Sequence, residues 1–164
     1  MTGYVQDRAG RAWALPALTA WEFQRTDGDP CGAFTVRFAA DGQTAGILRQ
    51  ADAFRAEEDG KTVFTGVVDE AVVTLDGGGL WAEVAGRDLA ARLLDNQCRA
   101  GEFLSAQLED ILARYVRPFG VTRIRADSLP AVPNFSVQTG DSAWQVLCGY
   151  CRHAADVFPR FAAD

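Results

Sequence analysis

The sequence predicts an α+β protein: an N-terminal antiparallel β-barrel over residues 1–98, followed by a small helix-strand-helix domain over 99–164. Three observations predict it. The first part is built of short apolar-polar alternations separated by Gly- and Asp-rich turns. In the last part apolar residues recur at helical spacing behind cap residues. The chain has 164 residues, 48% of them hydrophobic, enough to bury a core in one domain or two small ones.

The strands come first. Tyr4-Val5-Gln6 and Ala12-Trp13-Ala14-Leu15 flank the polar, Gly-ended Asp7-Arg8-Ala9-Gly10, a hairpin signal. Trp21, Phe23 and Arg25 alternate with Ala20, Glu22 and Gln24, giving a strand with one mostly apolar face. Asp27-Gly28-Asp29-Pro30 reads as a turn, and Phe34, Val36 and Phe38 as the buried side of the next strand. Ala53 to Glu57 leads into Glu58-Asp59-Gly60-Lys61, whose Gly supplies a positive φ. Strands at Val63 to Val68 and Ala71 to Leu75 follow, then the turn Asp76-Gly77-Gly78-Gly79 and a returning strand at Leu80 to Val84. Gly66 inside its strand suggests a bulge or a sharp bend.

Helical signals begin near Gly86. Asp88 is placed to cap a short helix over 89–94, closed by Asp95-Asn96-Gln97. Leu104, Leu108, Ile111, Leu112 and Tyr115 fall on one helical face behind a candidate N-cap, Ser105, and Pro118 and Gly120 end that helix. Val121 to Ile124 reads as a short strand, and Leu129 to Pro133 as a loop that excludes helix. Ser142 and Gln145 have capping-box spacing, and Trp144, Leu147, Cys148 and Cys151 form one face of the helix that follows. Val157 to Phe161 is expected to start a strand, which makes the second domain look truncated at its C-terminal end.

Composition limits the function classes. The net charge of -6 and a pI near 4.8 argue against a protein that grips nucleic acid by neutralising phosphates. Arg114, Arg117, Arg123 and Arg125 are the densest basic group and read as a solvated face. No apolar run approaches the roughly 20 residues of a membrane helix, and Met1 to Tyr4 lacks signal-peptide character, so a soluble protein made in the cytoplasm is expected. Cys31, Cys98, Cys148 and Cys151 are too sparse for a disulfide framework.

Cys148-Gly149-Tyr150-Cys151 is the sharpest chemical motif. A redox pair keeps its first thiolate at a helix N-terminus, whereas these cysteines fall about two turns inside the helix, with Leu147 where a thioredoxin pattern has Trp. Zinc would need four ligands in paired spacings, and adding His153 and Cys98 does not supply them. Small packing residues are the better reading. His153 stands without a nucleophile elbow, Glu57, Glu58 and Asp59 belong to a turn, Asp69 and Glu70 flank strand residues, and the glycines after Asp76 lack a phosphate-loop pattern. No catalytic, cofactor or metal residue is therefore assigned. The alternatives are a thiol-redox or metal-dependent enzyme centred on Cys148 and Cys151, and a stand-alone barrel binding carbohydrate or peptide.

From about Lys61 onward four motifs occur in a familiar order. Val63-Phe64-Thr65-Gly66-Val67-Val68-Asp69 precedes Val84-Ala85-Gly86-Arg87-Asp88-Leu89 with Leu93-Leu94-Asp95. Leu108-Glu109-Asp110-Ile111-Leu112 with Phe119-Gly120-Val121 comes next, then Thr139-Gly140-Asp141-Ser142-Ala143-Trp144-Gln145-Val146-Leu147. In this order and spacing the chain resembles the baseplate hub proteins of phage tails and related contractile injection systems, the late-control D-type proteins. The resemblance implies a structural virion protein of the tail baseplate, from a phage or prophage. Its subunits would trimerise, each giving two barrels, so that a threefold protein adapts a sixfold tail tube to a threefold spike. DNA would pass through the lumen without specific binding, and no catalytic residue or cofactor is implied. The sequence stops before the second barrel of such a hub.

Overall fold

The computed structural model describes residues 1–25 and 30–161, which divide into two compact units, Met1–Leu89 and Ala90–Arg160. The expected turn at Asp27 to Pro30 lies largely outside the described residues. Mixed α+β architecture is present, with most strands in the first unit and most helix in the second.

The first unit is one antiparallel sheet of seven strands. They are β1 (Thr2–Gln6), β2 (Ala12–Ala14), β3 (Leu18–Gln24), β4 (Ala33–Ala39), β5 (Ala53–Glu58), β6 (Lys61–Asp76) and β7 (Gly79–Asp88), in the order β2-β1-β5-β6-β7-β4-β3. The first hairpin forms where expected, with Gln6 opposite Ala12. Asp7 organises its turn: one carboxylate oxygen accepts the backbone N–H of Ala9 and of Arg11, and the other accepts the Arg11 guanidinium at 2.8 Å. Between β5 and β6, Asp59 and Gly60 both take positive φ, the left-handed pair that a two-residue hairpin requires. The segments read as two strands at Val63 and Ala71 are a single strand, β6, with the bulge at Asp69 between them.

The expected barrel is not closed by hydrogen bonds, since β2 and β3 end the strand order and share no ladder among the described residues. The sheet is nevertheless strongly bent. Phe34 of β4 stacks on Phe54 of β5 at 4.3 Å, although these strands stand three places apart, about 14 Å in a flat sheet at ~4.8 Å per strand. Phe23 of β3 likewise reaches Phe64 of β6 at 5.1 Å. With Val5, Val36, Phe38 and Val84 these rings form the core.

Gly66 and Gly86 make this packing possible. The register shifts fall at Glu57 and Asp69, so Gly66 is not a bulge; it is a site of close approach. A Cβ there would strike the Arg87 carbonyl and come within 2.9 Å of the Phe64 ring. One on Gly86 would strike the Val67 carbonyl and come within 2.8 Å of the Phe34 ring. Phenyl rings thus lie directly on backbone. A helix that sequence patterning missed, α1 (Gly42–Leu48), adds Leu48 to the core; Asp41 caps it by accepting the Thr44 N–H at 2.7 Å. Two glycines in seven residues hid its periodicity.

Asp88 does not cap the next helix. It is buried at the end of β7, where its carboxylate accepts the Gly32 N–H at 2.9 Å while its own N–H donates to the Gly32 carbonyl. The helix, α2 (Ala91–Leu94), opens without a side-chain cap.

The second unit packs helices on a two-stranded antiparallel sheet of β8 (Gly101–Ala106) and β9 (Val132–Val137). Sequence patterning missed both strands. Leu104 and Ser105, read as helical, belong to β8, and Leu104 is 88% exposed. The helix instead starts at α3 (Leu108–Ile111), where the Gln107 N–H donates to the Asp110 carboxylate. It continues as a π-helical turn over Leu112–Val116 and a tighter turn over Arg117–Phe119, ended by Gly120 at φ 84°. Residues 121–131 contain no strand, contrary to the reading of Val121 to Ile124, and Val157 to Phe161 starts none either.

In α4 (Ala143–Ala155) the expected capping box is present: Ser142 Oγ accepts the Gln145 N–H at 3.2 Å, and Gln145 Oε1 accepts the Ser142 N–H at 2.8 Å. The buried face is set one residue away from the expected one. Ala143, Val146, Leu147, Tyr150 and Cys151 point inward, while Trp144 is only half-buried. Tyr150 is the anchor: it is fully buried, its ring meets Phe135 edge-on at 5.8 Å, and its hydroxyl donates to the Pro130 carbonyl at 3.0 Å.

Two stability predictions follow from these packing contacts. Gly86→Val should cost at least about 3 kcal/mol in urea unfolding, because the new side chain meets both a ring and a carbonyl. Tyr150→Ala should cost about 3–5 kcal/mol, the range of buried aromatic truncations, and Trp144→Ala clearly less. An equal loss at the two positions would show that α4 turns a different face inward.

Candidate assembly surfaces

The chemical candidates are separated by the fold. Cys148 and Cys151 lie in the middle of α4, more than a turn from its N-terminus, where the helix dipole gives a thiolate little support. Burial, reinforced by Cys151 beside it, pushes the Cys148 thiol up to about 11. Burial raises Cys151 as well. His153 lies on the same helix with Nδ1 2.7 Å from the Gly149 carbonyl, and the buried Cys98 donates its N–H to the Asp141 carbonyl. Among the described residues no group of three or more His, Cys, Asp or Glu side chains is arranged to hold a metal.

Several of the charged groups form ion pairs or ring contacts. Asp69 pairs with Arg87 across β6 and β7 at 2.7 Å, and Arg55 pairs with Glu57 at 3.3 Å. Within the basic group, Arg114 lies over the Phe103 and Tyr115 rings and Arg117 pairs with Glu109. Arg114 is thus held on aromatic rings rather than standing on a wholly solvated face.

What the fold leaves open is strand edge. The β5 ladder on β6 ends at Val67, so among the described residues the stretch 70–76 of β6 pairs only with β7. This arm exposes Val72, Val73 and Leu75, the last at 78%. Beyond β7 and β4 the same sheet ends at β3, which among the described residues pairs only with β4 and exposes Trp21 at 50%. Trp21 was expected on a covered apolar face; an edge strand has no neighbour to cover it. Sequence periodicity identified these residues as strand but could not say which strands lie at an edge.

A known family covers the second unit. Residues 90–162 match the family described as baseplate hub protein gp44-like, second domain. That segment is similar to a gp44-like second domain. The chain accordingly resembles phage-tail baseplate hub proteins, as its motif order indicated. No curated protein matches the sequence. Among solved structures, the tail protein from Neisseria meningitidis MC58 superposes with a TM-score of 0.68 at 17% identity, over 92% of this chain and 44% of that one. The prophage MuSo2 43 kDa tail protein from Shewanella oneidensis gives 0.67 at 20% identity, over 94% of this chain and 49% of that one. The chain therefore shares a fold with both, and it spans less than half the length of each.

The thiols give a direct test of the packing reading. A thiol that ionises at about 11 in the fold and near 9 when free is almost wholly protonated at pH 7.5. Cys148 should therefore react with a disulfide reagent far more slowly in the folded protein than in urea. The thiol favours the fold fully below about pH 9, and this contribution is lost as pH rises toward 11. Replacing Cys148 and Cys151 with Ala should cost about 1–2 kcal/mol in denaturant unfolding. Rapid labelling at neutral pH would restore the redox alternative.

Proposed function

We propose that this chain is a structural subunit of a phage-type tail baseplate hub, carried in the virion tail or in a related contractile injection particle, and that it performs no catalysis. The observation that carries this reading is the gp44-like second-domain match, which falls on the helical unit directly after the seven-stranded sheet. Two tail proteins of the same fold support it.

In this reading the bent sheet serves as the barrel-type domain of the hub. Longer chains with two such domains would assemble as trimers, and three copies of two domains give the nearly sixfold ring that a tail tube can meet on one side and a threefold spike on the other. The net charge of -6 suits a protein past which DNA slides without phosphate contacts. The edges at β3 and at residues 70–76 suit ring formation, because closed rings are built from two different complementary faces on each subunit.

The test is assembly. This chain alone is expected to be mainly monomeric at micromolar concentration by light scattering, and a chain extended by a second barrel-type domain to be a stable trimer. Failure of the extended chain to trimerise, even with tail-tube and spike proteins added, would overturn the hub reading.

A further inference from the structure

We propose that Asp76, at the turn between β6 and β7, is a modification site. Its side chain and the Gly77 amide nitrogen close into a succinimide, which reopens in water as isoaspartate. This stands apart from the assembly reading, since it needs only one chain and water.

The chemistry balances within the turn. The Gly77 nitrogen attacks Cγ of the protonated Asp76 carboxyl. A Cγ–N bond forms, the Cγ–OH bond breaks, and the amide proton leaves with the hydroxyl as water. When water then cleaves the original peptide bond between Asp76 and Gly77, the chain runs on through Cβ and the α-carboxylate is free. Gly obstructs this attack least, having no Cβ and the widest backbone freedom.

Four Asp-Gly steps occur in the sequence, at Asp27, Asp41, Asp59 and Asp76, and the first lies outside the described residues. The fold separates the other three. Asp41 is committed as the cap of α1, accepting the Thr44 N–H at 2.7 Å. Hydrogen bonds from Thr44 hold its carboxyl below the usual carboxylate range, so it stays ionised and is a poor source of a leaving hydroxyl. Asp59 takes φ 50° and Gly60 φ 73° in their left-handed turn. Left-handed ψ sets the Asp59 Cβ opposite the Gly60 nitrogen across the Cα–C bond, away from attack.

Asp76 is neither a helix cap nor left-handed. Its Oδ1 accepts the Gly78 N–H at 2.8 Å, which folds the carboxyl over the Gly77 peptide between them. Residues 71–79 are exposed throughout, so water reaches the ring, and a Cβ on Gly77 would meet nothing within 4 Å. The extra backbone atom falls where Asp76 pairs with Gly79, next to the exposed Leu75, so the product loosens the end of the arm.

The test is to hold the intact chain warm at mildly acidic pH and map its peptides with time. Isoaspartate should accumulate at Asp76 ahead of Asp41 and Asp59, with a succinimide one water lighter as its precursor. Gly77→Ala, which the open space accommodates, should slow the reaction about two- to fivefold through lost backbone freedom. Asp76→Glu, whose longer side chain must close a larger ring, should abolish it. In urea, where the fold no longer separates them, the three steps should react at similar rates. Asp41 or Asp59 reacting as fast as Asp76 in the folded chain, or an unmodified Asp76 there after the urea sample has reacted, overturns the proposal.

Discussion

Phe34, Phe54 and Phe64 can meet only if the sheet bends, and the bend exists only because Gly66 and Gly86 let rings rest on backbone. Each fully buried ring contributes roughly 1.5–3 kcal/mol from removal of apolar surface. The contact is therefore both a source of stability and a constraint on shape. A flat sheet of the same strands would leave the rings on one open face. The β5 ladder on β6 ends at Val67, and the second half of β6 continues as an arm beside β7.

That geometry explains why the apolar surface is distributed unevenly. In the central strands β4 and β7 the inward side chains Val36, Phe38, Ala82 and Val84 are essentially inaccessible. At the ends of the same rows Trp21 and Val73 remain open to solvent. A monomeric protein usually protects such edges with charge, Pro or short strands.

The second unit depends on local signals more than on long-range bending. The Ser142 and Gln145 capping box fixes where α4 starts, and Tyr150 fixes which way it faces. Its cysteines fill space against that face, and their raised thiols follow from burial. The same physical fact, a dry site without a cationic neighbour strong enough to hold a thiolate, makes them poor nucleophiles.

By itself the sequence determined what depends on near neighbours. The first hairpin, the Asp59-Gly60 turn, the alternation of β4, the stop at Gly120 and the cap at Ser142 are all set within a few residues, and all were legible there. So was the motif order that resembles tail hub proteins. Tertiary structure decided the rest, because it depends on partners far along the chain. Gly66 became a close-approach site rather than a bulge because Phe64 and the Arg87 carbonyl occupy the space a Cβ would need. Asp88 went to Gly32, 56 residues away, instead of to a helix end. Residues 101–106 paired with β9, so Leu104 left its apparent helical face for solvent. Which strands became edges, and hence where another copy could add, was fixed only when the sheet had folded and its ladders had been used up.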